Sequence, residues 1–186
     1  SGKTTMALSF PKPIRHFDID VGGFKRAAWR LDTTDILTKS YPRPLQMEKL
    51  LGTNGVSTRA AVPKRVVGYK EIWQRIIVDF IEVCQDQEVA TIVFDSATLL
   101  WNICHNGHLQ ELQEKQLAQH NAKKLSIKFD EDDYREKLQP IEYGPANDRM
   151  RSVLHTARSF QKNLVLVHYP TDEYGPYTDD KGRTIE

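Results

Sequence analysis

The run Val89-Ala90-Thr91-Ile92-Val93-Phe94-Asp95 constrains this chain more than any other stretch. It offers no polar face until its closing aspartate, which is how a strand covered on both sides reads. The segment before it, Tyr69 to Gln87, carries Ile72, Trp73, Ile76, Ile77, Phe80, Ile81 and Cys84 at three- and four-residue spacing. That is an amphipathic helix with a broad buried face. Two further strands are expected: Ile14 to Asp20, closed by Val21-Gly22-Gly23, and Asn163 to Tyr169. Another helix opens at Tyr143-Gly144-Pro145, with Met150, Val153, Leu154, Ala157 and Phe160 on one face. Strands alternating with helices imply a mainly parallel sheet between helical layers, a three-layer αβα architecture.

The remaining segments are less regular. Residues 24–38 are mixed, and an irregular connection over 40–68 is punctuated by Tyr41 to Pro44 and Gly52 to Gly55. From Ala97 a helix with Leu99, Leu100, Ile103 and Cys104 runs until Asn106-Gly107 interrupts it, and 109–125 read as a separate solvated helix. Residues 128–137 form an exposed charged stretch, so 105–142 are expected as a helical and charged insertion. The tail from Tyr174 reads as a hairpin around Asp180-Lys181-Gly182. With 186 residues and 39% hydrophobic content, 1–186 are expected to make a single domain. A net charge of +1 excludes a global electrostatic footprint for nucleic acid, so any such binding must be local. Cys84 and Cys104 fall in expected helices and suit a reducing compartment, which points to the cytoplasm. No apolar run approaches a membrane span, and the first residues resemble neither a signal peptide nor an initiator methionine.

In open parallel sheets, ligands lie beyond the carboxyl ends of the strands. Residues at those ends, and any phosphate-binding motif, should therefore make one chemical set. Ser1-Gly2-Lys3-Thr4-Thr5 read as the second half of a phosphate-binding loop, G-x-x-x-x-G-K-[ST], whose first glycine and preceding strand lie before the first residue. Backbone N–H groups around Gly2 would wrap a β-phosphate, Lys3 would reach the β- and γ-phosphate oxygens, and the Thr4 hydroxyl would hold Mg²⁺. Met6, Ala7, Leu8 and Phe10 are expected to continue as an apolar helix behind the phosphates.

Asp95 fits the carboxylate that orients Mg²⁺ and its waters beside Thr4, although an Asp-Ser pair is also an ordinary helix cap. Asp18 and Asp20 are expected on one face of their strand, where one would polarise the attacking water; a solvated turn carboxylate is the plainer alternative. His168 and Tyr169 close the last strand, where they would sense a γ-phosphate or simply end the strand.

Gly2-Lys3-Thr4-Thr5, the F-D-I-D-V-G-G run at 17–23, the I-V-F-D-S run at 92–96 and the strand ending His168-Tyr169 resemble, in this order, RecA-like P-loop ATPases. The resemblance is closest to the compact phage-type (AAA-family or RadA-like) recombination ATPases and covers 1 to about 175, excluding 40–68. It implies a RecA-like nucleotide-binding domain lacking its first strand, with Mg²⁺ and ATP as cofactors, ATP hydrolysis, and action on DNA in recombination, repair or replication. It also implies a helical or ring homo-oligomer with ATP between protomers and single-stranded DNA along the axis. The family's catalytic base, usually Glu, falls at Asp20, whose side chain is about one methylene shorter, so hydrolysis could be slow. The family's polar pair after the last strand often contains His in the phage-type group, which His168 matches.

Other features carry less. Cys104, His105, His108 and His120 match no regular zinc spacing, and Asp130 to Asp133 lack the pattern of a calcium loop. Lys123, Lys124 and Lys128 near Phe129, with Arg149, Arg151 and Arg158, are candidates for DNA contact or plain soluble surface. Lys181 and Arg183 would serve as arginine-finger-type groups. Two alternatives stand beside the ATPase. One is a phosphoryl transferase on a small molecule, with Arg43, Arg59 and Arg65 of the 40–68 connection as its lid. The other is a nucleotide-binding module without hydrolysis.

Overall fold

A computed structural model describes residues 2–44, 64–123 and 129–169, and the backbone of two short strands at 177–178 and 184–185. Four parallel strands, β1 (Ile14–Asp18), β2 (Ile36–Ser40), β3 (Thr91–Asp95) and β4 (Asn163–Val167), form one sheet in the order β2-β1-β3-β4. The helices are α1 (Lys3–Ala7), α2 (Gly23–Ala28), α3 (Tyr69–Gln85), α4 (Ala97–Ala122) and α5 (Tyr143–Ser159). β5 (Tyr177–Thr178) and β6 (Thr184–Ile185) pair antiparallel on either side of the expected hairpin turn, which itself lies outside the described residues.

All five residues of β3 are buried, as an apolar run without a polar face requires. Alternation sends its side chains to two cores. Ile92 and Phe94 join Phe17 against Trp73, Ile76 and Phe80 of α3, Leu100 and Ile103 of α4, and Val153 and Ala157 of α5. The Phe94 ring lies 4.7 Å from that of Phe17 and 5.7 Å from that of Phe80. Val93 joins Ile14 and Val167 against Ala7 and Leu8 at the end of α1 and Ala27 of α2. The fold is thus α/β, with helices on both faces of a parallel sheet. From β1 the chain reaches β2 on one side, then returns across β1 to β3 and β4, so the strand order reverses between β1 and β3. A crevice opens at such a reversal, beyond the carboxyl ends of the two strands.

Several elements differ from expectation. α1 ends at Ala7, Leu8 caps it, and Met6 and Phe10 are exposed, so the apolar helix is shorter than its composition suggested. β1 ends at Asp18, leaving Asp20 in the turn beyond it. The mixed 24–38 segment holds all but the first residue of α2 and the start of β2; among the described residues β2 is an edge strand buried only at Ile36, so it lacks the apolar run that betrays a central strand. β4 is also an edge strand among the described residues, exposed at Asn163, half-buried over 164–166 and buried only at Val167, where a buried strand was expected.

Gly107 does not break a helix. α4 runs unbroken for 26 residues, and Gly107 lets it approach α3 closely: a Cβ there would stand 3.3 Å from the Tyr69 carbonyl oxygen. The supposedly solvated second half buries Leu109, Gln110 and Gln113, the last accepting from Val66 N and donating to the Lys64 and Arg135 carbonyls. In the charged stretch Tyr134 is buried, packed edge-on to Phe129. On α5, Ala146, Val153 and Ala157 face inward, whereas Leu154 and the following Phe160 are exposed.

Candidate functional site

Gly22 at φ 123° turns the chain out of β1 into α2, and Asp18 braces the turn by accepting from Gly22 N at 3.2 Å. Positive φ of this kind favours glycine. Asp18 is therefore a turn-closing carboxylate that does not line the crevice, while Asp20, just past it, does. The expectation that both aspartates would be presented together is corrected by the strand ending between them. Ile19 N and Asp20 N both donate to the Asp95 carbonyl, at 2.7 and 3.1 Å, which docks the turn onto the end of β3.

The crevice is a cleft of about 770 Å³. It is lined by Gly2, Lys3, Thr4 and Thr5 at the start of the chain, by Asp95, Val167 and Tyr169 at and just beyond the strand ends, and by Asp20, Gly23, Arg26, Trp29 and Arg30 of the turn after β1 and of α2 and its end. Thr4 Oγ1 donates to Asp95 Oδ2 at 2.5 Å, joining residues 91 positions apart. Lys3 Nζ donates to the His168 carbonyl at 2.9 Å and lies 5.2 Å from the centre of the Tyr169 ring. Burial of Asp95 would push its carboxyl up, but His16 at 3.8 Å, the Thr4 hydrogen bond and the Lys3 charge outweigh it. The carboxyl stays below its usual range, an ionised group in a largely covered position.

Burial, then a hydrogen bond to the Asp20 carboxylate, pushes the Tyr169 phenol up to about 12. Tyr169 N donates to Thr98 Oγ1 at 3.2 Å, fixing the chain beyond β4 against the first turn of α4. Ser96 caps that helix, accepting from Leu99 N at 3.3 Å, so the cap falls on Ser96, next to the strand-end carboxylate of Asp95.

Of the residues singled out from the sequence, Gly2, Lys3, Thr4, Thr5, Asp20 and Asp95 meet in one cleft. Ser1 lies outside the described residues, as do Lys124, Lys128, Lys181, Arg183 and Arg59. His168 takes part through its carbonyl; its exposed side chain is not part of the cleft lining, and Tyr169 occupies that place.

Gly23, Arg26, Trp29 and Arg30 were not anticipated. A Cβ on Gly23 would stand 3.0 Å from Asp95 Oδ2 and 3.3 Å from Thr4 Oγ1, so glycine here makes room for the pair. Arg26 and Arg30 share a four-residue spacing that puts them on one face of a helical segment, a signal hidden by the absence of apolar periodicity. Arg30 stacks on Trp29 at 5.1 Å.

The other candidates are held in structural contacts. Arg149 pairs with Glu111 at 2.7 Å and Arg151 with Asp148 at 3.1 Å, which leaves less free cationic surface on α5 than the sequence suggested. The Cys104 thiol faces the Ala146 carbonyl, and His108 lies 3.3 Å from Glu111. Among the described residues no group of three or more His, Cys, Asp or Glu is placed to hold a metal, and no helix is long and apolar enough to cross a membrane. Comparison with models of known protein families, with curated proteins and with solved structures finds no match, so the case for what this cleft binds rests on its own geometry.

Proposed function

We propose that this chain is a RecA-like P-loop domain that binds MgATP in the cleft and hydrolyses it to ADP and phosphate, coupling turnover to work on DNA. The observation that carries the nucleotide reading is the Thr4–Asp95 contact at 2.5 Å, with Lys3 and Asp20 lining the same cleft. A hydroxyl and an ionised carboxylate at one point are hard oxygen donors, and a magnesium site needs only one or two protein ligands when phosphates and waters supply the rest. When bound, the ion neutralises charge on the β- and γ-phosphates.

The chain's own residues supply position and charge. Lys3, held at the end of β4, would offer an ammonium to developing phosphate charge, and Arg26 and Arg30 add positive charge to the lining of the same cleft. Asp20 is sited to orient a water. The cleft falls within the range of about 300–1,000 Å³ common for small-molecule sites. The DNA half of the proposal and the homo-oligomer come from the resemblance to RecA-like ATPases.

A second reading, nucleotide binding without turnover, is favoured by one juxtaposition: the Asp20 carboxylate lies close enough to the Tyr169 phenol to help push it up, so the phenol competes with a water for the same oxygens. ATP turnover with and without single-stranded DNA, alongside Lys3→Ala, separates the readings. DNA-stimulated phosphate release that Lys3→Ala abolishes is expected. Tight binding without release supports the second reading, and release that needs a small-molecule acceptor points to a phosphoryl transferase.

A further inference from the structure

His16 lies on β1 beneath the cleft, is 1% exposed, and takes no part in the chemistry proposed above. Its Nδ1 is 3.3 Å from Thr38 Oγ1 on β2, and its Nε2 is 3.8 Å from Asp95 Oδ2 on β3. That Nε2 is buried without a hydrogen-bond partner. His16 and Thr38 are register partners across β1 and β2, so the contacts run over three neighbouring strands as Thr38, His16, Asp95 and end at the Thr4 hydroxyl. A buried ring nitrogen normally has a partner, and an exception calls for an explanation. The gap to Oδ2 is about 0.6 Å beyond the usual limit of about 3.2 Å for N–H···O, within reach of a small carboxylate rotation.

We infer that His16 is a positioning residue for the carboxylate that shares a divalent cation with Thr4. With Nδ1 accepting a hydrogen bond from the Thr38 hydroxyl, the ring presents Nε2–H to Asp95 Oδ2. The acceptor-only Asp95 carboxylate selects the Nε2–H form, the Thr38 hydroxyl complements it at Nδ1, and the imidazole in turn sets the orientation of Asp95. Residues behind a metal ligand commonly tune its affinity in this way. The inference rests on reading the cleft as a magnesium–nucleotide site.

The test is a Mg²⁺ titration of binding of a fluorescent ATP analogue, read beside binding of the same analogue in EDTA. His16→Leu is expected to raise the Mg²⁺ concentration for half-maximal binding about tenfold, the lower end of the range for such neighbours, while binding in EDTA is unchanged. His16→Gln, whose amide nitrogen reaches nearly as far as Nε2, should restore most of the midpoint. Thr38→Val should shift it in the same direction by less; should His16→Leu not fold, that half-buried edge-strand position carries the test. An unchanged midpoint in a folded variant overturns the inference, as does an equal loss of binding with and without Mg²⁺. If wild type binds the analogue and Lys3→Ala abolishes it while His16→Leu does nothing, the inference alone falls. If wild type shows no Mg²⁺-dependent binding, the cleft reading falls with it.

Discussion

At the scale of single residues, the cleft makes separable demands on Lys3, Asp20 and Gly23. Lys3 supplies charge, so Lys3→Ala should lower turnover by at least about a hundredfold, the size usual for losing one stabilising electrostatic group; steady-state phosphate release checks it. Asp20 sits past the strand end with no role in packing the core, so Asp20→Asn should abolish phosphate release and leave analogue affinity near wild type. A variant that hydrolyses normally would remove Asp20 from the mechanism. Gly23 is the spatial requirement. In an exposed helix Gly→Ala gains up to about 1 kcal/mol, but here the added carbon meets Asp95 Oδ2 at 3.0 Å, so Gly23→Ala should weaken Mg²⁺-dependent nucleotide binding while leaving the protein folded. The sequence displayed Lys3, Thr4 and Asp95 through their motifs. It gave no hint that Gly23 faces them, because a glycine pair after a strand reads equally well as a turn.

Between elements, the α3–α4 contact shows how a local signal can invert its meaning. Asn106-Gly107 has the composition of a break, yet the glycine sits where two helices meet and the helix continues through it. Gly107→Ala therefore sets a propensity gain against a Cβ placed 3.3 Å from the Tyr69 carbonyl and 3.4 Å from the Lys70 backbone. Backbone atoms give way less readily than a side-chain tip, so the contact should win and thermal unfolding should show a lower Tm. A raised Tm would mean that α3 and α4 can separate at little cost. β3 and α3 were legible because a fully apolar strand and a heptad-like stripe have few alternative readings. α2 and β2 were not. Each is short, and β2 is buried on one position only, so neither repeats its pattern long enough to stand out.

For the molecule as a whole, acid stability and thiol reactivity follow from what is covered. Burial works against the charged forms of Asp95 and Asp79, but His16 and Thr4 around the first, and Lys39 and Tyr41 around the second, hold both carboxyls below the usual carboxylate range. Groups more acidic in the folded than in the unfolded chain stabilise the fold while ionised, and that contribution is lost as pH falls through the folded values. Tm should therefore change little between about pH 7 and 5 and drop below about pH 4; a flat profile to lower pH would show that these contacts do not persist in solution. Burial pushes the Cys84 thiol up to about 11 and the Cys104 thiol up to about 12. Neither should react with iodoacetamide in the native protein at neutral pH, and both should react once denaturant is added, as mass spectrometry would record.

By itself the sequence determined the alternation of helix and strand, the burial of β3, and the residue types able to meet a phosphate and a divalent cation. These are properties of period and composition, written in contiguous residues. Only the tertiary structure decided that the strand order reverses between β1 and β3, and so where a crevice opens. It also decided that Asp20 rather than Asp18 enters that crevice, that Tyr169 takes the place expected for the His168 side chain, and that His16 lies behind Asp95. Strand order and the pairing of distant residues depend on which surfaces pack together, and no local pattern in the chain encodes that choice.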